Sequence, residues 1–237
     1  MIGTSGARDG RVNAILDSLD AGGEDRIGRH LKRVSSKLGD VLLNPDDPIE
    51  YLYFPETAMA SAMGITAEGA SAEVGLIGWE GVVGVNRLLG ARSQPNVINI
   101  QMEGEGVLMP AHIAEEEFAR GGPFHLSVLR FVNELIVQLG RTAVCNAVHG
   151  VEQRLARWLL MCSDRSPDEK LRLTQEFLAM MVAVTRQSIS GAAQFLQDQG
   201  LIQYSRGVIV ILDRPGLEKS SCQCYEVAAL ERGRSNS

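Results

Sequence analysis

No run of about 18 apolar residues occurs in this chain, so no transmembrane helix is expected. Residues 1–11 are rich in Gly, Ser and charge and lack the apolar core of an export signal, so they read as a flexible tail of a cytoplasmic protein. Cysteine is scarce. Cys145, Cys162, Cys222 and Cys224 are scattered and form no CxxC pair, and Cys222-Gln223-Cys224 is too tight for usual bridge or zinc spacing. Reduced, unligated thiols are expected, and no metal. His30, His112, His125 and His149 lie far apart, none in an HxH or HExxH pattern. GxSxG, P-loop and GxGxxG patterns are absent. Paired acids do occur. Asp46-Asp47 lies in a Pro-flanked turn and Glu115-Glu116-Glu117 near a helix start, where the macrodipole favours acids. No nucleophile–base set can be assembled, so an enzyme is not expected.

What is present suits a globular chain of one large or two ordinary domains: 237 residues, 45% hydrophobic and 22% charged. The net charge is −6 and unevenly spread. Residues 1–150 hold 12 basic and 19 acidic residues, whereas residues 151–217 hold 8 and 7. Nucleic-acid binding by the back half would therefore depend on a few placed contacts and on dimerisation.

Residues 173–212 carry the densest pattern. Phe177, Leu178, Met181 and Val182, then Ile189, Ala192, Ala193 and Leu196, have helical spacing on either side of a break near Ala183 and Val184. Thr174 is placed to cap a helix over 175–181, and Thr185 one over 186–197 that Gly200 stops. Two β-prone runs, Leu201-Ile202 and Val208 to Leu212, meet across a tight turn at Ser205-Arg206-Gly207. Helix, turn, helix and hairpin is the winged helix-turn-helix plan, whose second helix enters the DNA major groove. A plain αα-hairpin with a β-ribbon has the same outline.

The second helix opens on Thr185-Arg186-Gln187-Ser188, all hydrogen-bonding and none acidic, at the end that attracts phosphate. Arg186 suits a bidentate contact to guanine, with a phosphate clamp as its alternative, and Gln187 suits adenine. Ser188 and Ser190 suit phosphate or base. Thr174 and Gln175 lie where the first helix meets the DNA backbone, and Arg206 would hold a phosphate at the hairpin tip.

These residues carry a resemblance. Leu173 to Ala179, Val184 to Ile189 and Leu196 to Ile202 resemble the DNA-binding half of the Crp/Fnr family of bacterial transcription regulators. Val151 to Leu160 is similar to the helix that precedes the motif in that family. The resemblance implies a homodimeric, sequence-specific regulator on double-stranded DNA, with RNA polymerase as a further partner. Its site would be an inverted repeat with half-site centres about 34 Å apart. Many members place an acid after the recognition arginine and a second arginine further on. Gln187 and Gly191 stand there instead, and Ala183 replaces a glycine frequent in the turn.

The front half changes character. Short apolar runs between turn signals recur from Val34 to Met109, as in an antiparallel sandwich or barrel. The layout resembles the β-roll of cyclic-nucleotide-binding domains, with Gly39-Asp40-Val41-Leu42 and Tyr51-Leu52-Tyr53-Phe54 matching early strands. Residues 78–93 correspond to the phosphate cassette of nucleotide-binding members. By that resemblance Glu80 would hold a ribose hydroxyl and Arg92-Ser93 the phosphate, with Arg87 as a rival. Trp79 interrupts the Gly-Glu pair, and the Glu-to-Arg spacing is long. The plainer reading is a scaffold β-roll without cofactor, with a helix over 82–89 packed on it. A sensor of cyclic nucleotide or another small effector, with an output other than DNA binding, is the alternative function.

Residues 12–32 read as one or two short helices broken at Gly22-Gly23, and 111–118 as another. Leu129, Val132, Ile136, Leu139 and Ala143 then step by 3 and 4, an a/d seam on a helix over about 125–149. A buried helix shows the same pattern, but in the family this helix pairs with its twin. Gly150 marks a hinge, residues 151–162 a helix and 164–168 a loop. An amphipathic helix over 217–230 packs back, and 231–237 read as disordered. The expected class is α+β. It has a tail over 1–11, a jelly-roll-like antiparallel β-roll over 12–122 and a dimerisation helix over 123–149. A winged helix-turn-helix over 150–217 and an extension over 218–237 follow.

Overall fold

The computed structural model describes residues 12–69 and 71–235. The expected tail over 1–11 lies outside the described residues, as do 236–237. Contacts divide the chain into two units. One holds residues up to Ala62 and Leu76–Asn133, the other Met63–Gly75 and the chain from Glu134 onward.

Helices α1 (Ala14–Asp17) and α2 (Ala21–Ile27) open the first unit. Asn13 caps α1 by accepting from the N–H groups of Ile15 and Leu16, and its amide donates to Pro55 O (2.9 Å) and Gly81 O (2.8 Å). The break between the helices falls before Ala21, not at Gly22-Gly23. Asp20 accepts from the Gly23 N–H at 2.7 Å and so starts α2 there. A Cβ on Gly23 would lie 2.8 Å from Leu19 Cδ2, the end of a side chain that can swing aside.

Seven strands follow: β1 (Lys32–Ser36), β2 (Val41–Leu43), β3 (Tyr51–Pro55), β4 (Met59–Ile65), β5 (Ser71–Ile77), β6 (Val97–Met102) and β7 (Gly104–Pro110). They make two sheets, in the orders β1-β7-β3 and β2-β6-β4-β5. Both neighbours of β7 run antiparallel to it, with Lys32 and Tyr53 on either side of Leu108. Partners distant in sequence make this the expected β-roll. Leu52, Phe54, Leu76, Ile100 and Met109 are wholly buried in it, each contributing roughly 1.5–3 kcal/mol of transfer free energy.

The helix expected over 82–89 is only a 3₁₀ turn at Val85–Arg87. Gly84 enters it at φ 87°, a left-handed conformation that a right-handed helix cannot pass through. Val83 instead makes an antiparallel bridge with Tyr53. Close by, a Cβ on Gly81 would fall 2.2 Å from the buried Phe131 ring. Gly81→Ala is expected to lower stability by about 1–3 kcal/mol through overpacking, read as an earlier urea midpoint at unchanged m-value.

Helix α3 (Ala111–Ala119) precedes the long α4 (Pro123–Val148). Beyond it, the second unit contains α5 (Val151–Arg165), β8 (Lys170–Arg172), α6 (Gln175–Met181), α7 (Arg186–Asp198), β9 (Ile202–Ser205) and β10 (Val208–Ile211). Helices α8 (Arg214–Ser220) and α9 (Gln223–Ser235) complete it. Helix α5 is its hub, with Leu155, Ala156, Leu159 and Leu160 at 0% exposure. Strand β8 is an addition that the sequence pattern does not signal. It pairs antiparallel with β10, Leu171 opposite Ile209, in a sheet ordered β8-β10-β9.

The single helix expected over 217–230 is two helices. Asp213 caps the first by accepting from the Gly216 N–H at 3.0 Å, and the chain breaks before Cys222. Residues 231–235 are helical rather than disordered. The cysteines are not scattered in space: Cys145 of α4 is buried with Cys222 and Cys224, because the break between α8 and α9 returns the extension to the end of α4.

Candidate nucleic-acid interface

Helices α6 and α7 start in the same way. Thr174 Oγ1 accepts from the Phe177 N–H and Thr185 Oγ1 from the Ser188 N–H, both at 3.2 Å, each satisfying a first-turn donor. The turn between them closes as a Schellman motif. Val184 N–H donates to Ala179 O at 2.9 Å and Ala183 N–H to Met180 O at 3.2 Å. Ala183 occupies the left-handed position at φ 52°, which favours glycine. Ala183→Gly is therefore expected to raise thermal stability, by up to about 1 kcal/mol after the entropy of the unfolded glycine is set against the relieved strain.

Two side chains from α5 brace α6 and this turn, and sequence reasoning assigned neither. The Arg154 guanidinium donates through Nη2 to Val182 O. Its only sequence signal is an arginine among the apolar positions of a helix. Trp158 meets Phe177 edge-on at a centroid distance of 6.4 Å and donates Nε1–H to the buried Glu73 of β5 at 2.9 Å.

Helix α7 buries Ile189, Ala192, Ala193 and Leu196. At about 100° per residue, the opposite face carries Gln187, Gly191 and Gln194. Gln194 is thus an outward residue absent from the sequence-based set. Around a Cβ placed on Gly191 there is only open space, so the ridge has a gap there. Thr185, Arg186, Gln187 and Ser188 are all exposed. No carboxylate pairs with Arg186 among the described residues. Burial pushes the Tyr204 phenol of β9 up, and the Arg186 charge opposes it.

Tyr204 ties the wing to α7 and to the residue that precedes the cap of α6. Its hydroxyl donates to Leu173 O at 3.0 Å, and its N–H to Gln197 Oε1 at 2.8 Å. Ser190 is half-buried, its hydroxyl 2.9 Å from Gln175 Oε1 and 2.8 Å from Arg186 O. Ser190 and Gln175 therefore join α7 to α6. Arg206 (φ 51°) and Gly207 (φ 75°) are both left-handed, as a type I′ hairpin requires. That turn holds the exposed Arg206 at the tip of the wing.

Two of the four residues proposed for an effector, Glu80 and Arg87, have side-chain partners within the fold. The buried Glu80 accepts from the Gly78 N–H at 3.3 Å. Arg87 Nε lies 2.7 Å from Glu115 Oε1 of α3 and would have to exchange that carboxylate for a phosphate. Arg92 is exposed and Ser93 half-buried; the Arg92 carbonyl accepts from the Ile49 N–H at 2.9 Å. On α4, Leu129 (41% exposed), Ile136 (62%) and Leu139 (37%) stand out. Ala143 is exposed and Val132 half-buried.

The family model of the Crp-like helix-turn-helix domain matches residues 153–220, which span α5 through α8. Residues 153–220 are a Crp-like helix-turn-helix domain. Solved structures of transcription regulators share the fold of this chain over most of its length. FixK2 from Bradyrhizobium japonicum superimposes with a TM-score of 0.70 at 15% identity, covering 81% of this chain and 98% of its own. A Crp/Fnr-family transcriptional regulator from Eubacterium rectale gives 0.68 at 17% identity, covering 87% and 97%. Another from Thermus thermophilus gives 0.64 at 22% identity, covering 80% and 98%. No match was found among curated protein sequences. No helix among the described residues is long and apolar enough to cross a membrane.

Proposed function

We propose that two copies of this regulator pair along α4 and set their two α7 helices into successive major grooves of an inverted repeat. The observation that carries this reading is the first turn of α7. It presents four exposed polar side chains, among them an arginine that no carboxylate of the described residues neutralises, at the end of a helix where backbone N–H groups lack intrahelical partners. The pairing is supported by apolar residues that a lone chain leaves in water: Leu126 at 54%, Leu129 at 41% and Ile136 at 62% exposure. Arg186 and Gln187 would read base edges, Ser188 and Arg206 would hold phosphates, and Thr174 would meet the backbone beside them.

Selection of bound DNA from a random pool tests this. The expected product is a palindrome with half-site centres about one helical turn, 34 Å, apart. Enrichment of a single unrepeated half-site, or none, removes the reading. At such a site the pair would meet RNA polymerase, and transcription in vitro from the selected sequence reports whether output rises or falls.

A further inference from the structure

A cluster in the second unit has no part in reading DNA. Cys145 lies in the last turn of α4, and His149 follows the end of the helix, its N–H donating to Cys145 O at 3.1 Å. Cys222 immediately precedes α9, and Cys224 lies in its first turn. Cys145 Sγ is 3.4 Å from Cys222 Sγ, and Cys224 Sγ is 3.8 Å from His149 Nδ1. All four donor atoms fall within 4.8 Å of one another. The three thiols are buried and the imidazole half-buried.

We propose that Cys145, His149, Cys222 and Cys224 form a Cys₃His site for one zinc-class divalent ion. The spacing suits a single tetrahedral ion. Bonds of about 2.3 Å to sulfur and 2.0 Å to nitrogen give S···S edges of roughly 3.8 Å and S···N edges of roughly 3.5 Å. An iron–sulfur cluster distributes its cysteines over several irons and needs a wider set. Thiolate and imidazole select zinc over the hard cations magnesium and calcium. All four positions come from the chain, so the site is closed and structural rather than catalytic.

The charge around the cluster points the same way. Three thiolates and a divalent ion leave one negative charge. Arg157 of α5 is 5% exposed, donates to Thr142 Oγ1 at 3.1 Å and meets no carboxylate among the described residues. Its Nε is buried without a partner. The Arg157 charge acts on Cys145 and Cys224, and that of Arg141 on Cys224. A buried, unpaired guanidinium is costly alone and is offset by an anionic metal site beside it. Cys222 stands at a helix start, where the dipole favours thiolate.

The ion would fasten the C-terminal extension to the end of α4, just before Gly150, the N-cap of α5. Cys145 is nine residues beyond Ile136, about half a revolution around α4, so the site and the apolar stripe occupy opposite faces. Metal binding and pairing are therefore separable.

The test uses the full chain, reduced and stripped with chelator, then titrated with cobalt(II) and afterwards with zinc(II) against a chromophoric competitor. About one equivalent of cobalt per chain is expected, with a thiolate charge-transfer band and the d–d bands of tetrahedral cobalt, both bleached by one equivalent of zinc. Cys224→Ser should weaken zinc binding by on the order of 100-fold, the share of one ligand in a four-ligand site. His149→Cys should restore a tight site that His149→Ala lacks. Wild-type cobalt spectra do not depend on any variant folding. The proposal is overturned by any of three results in the wild-type chain: no charge-transfer band, an iron–sulfur chromophore after anaerobic purification, or a Cys145–Cys222 disulfide persisting in reductant.

Discussion

Ile136→Glu is expected to leave this protein monomeric and to weaken its binding to an inverted repeat by on the order of 100-fold or more. Ile136 is 62% exposed in the single chain, so glutamate there costs the monomer little. On a paired seam the same carboxylate would face its twin across apolar side chains, and two like charges taken out of water are not tolerated. The loss at DNA follows from geometry. When one half-site is bound, pairing holds the second α7 at an effective concentration in the millimolar range, and a monomer loses that gain. Residues 151–217 carry 8 basic against 7 acidic residues, so bulk charge cannot compensate. Light scattering and a mobility-shift titration check both halves; a mass still equal to two chains sinks the pairing along α4.

Arg186→Ala is expected to lower affinity for the selected site by about 1–3 kcal/mol and to relax preference at one base pair. The side chain is exposed and has no carboxylate partner among the described residues, so its removal leaves the fold intact. Arg186→Lys keeps the charge but loses the planar fork, and should recover only the salt-dependent part of the loss. Mobility shifts against single-base variants at two salt concentrations separate the roles. Uniform weakening over all variants, with a shallower salt slope, reassigns Arg186 to a phosphate.

The helix-turn-helix was legible because its determinants are local. Both threonine caps, the apolar spacing of α6 and α7 and the glycine after α7 lie within a few residues of what they control. Helix α7 ends one residue beyond its expected boundary, at Asp198. The wing was partly legible: β9 and β10 follow from β-prone runs around a turn, whereas β8 has a single inward apolar residue, Leu171, and no period of its own. The stripe on α4 was legible as a period but not as a surface. Spacing of 3 and 4 is shared by a buried and an exposed helix, and only packing distinguishes them. It leaves Ile136 in solvent while bringing Leu139 beside Gly75, where an added Cβ would lie 3.4 Å from Leu139 Cδ2.

The cassette region shows how a local reading fails. Residues 82–89 have helix-compatible side chains, yet Gly84 is held left-handed and Val83 is drawn into a bridge with Tyr53, some thirty residues earlier. A long-range pairing overrode a local propensity, as strand contacts commonly do.

Sequence alone determined the helix-turn-helix, its two threonine caps and the residues at the exposed start of α7, because capping and helical periodicity act over one or two turns. Tertiary structure decided which periodic faces meet solvent, which arginine braces the turn, and that Cys145 and His149 meet Cys222 and Cys224. Those two pairs stand more than seventy residues apart, and neither spacing alone signals a ligand set. Only chain closure through α5, α8 and the break before α9 brings four donors within reach of one ion.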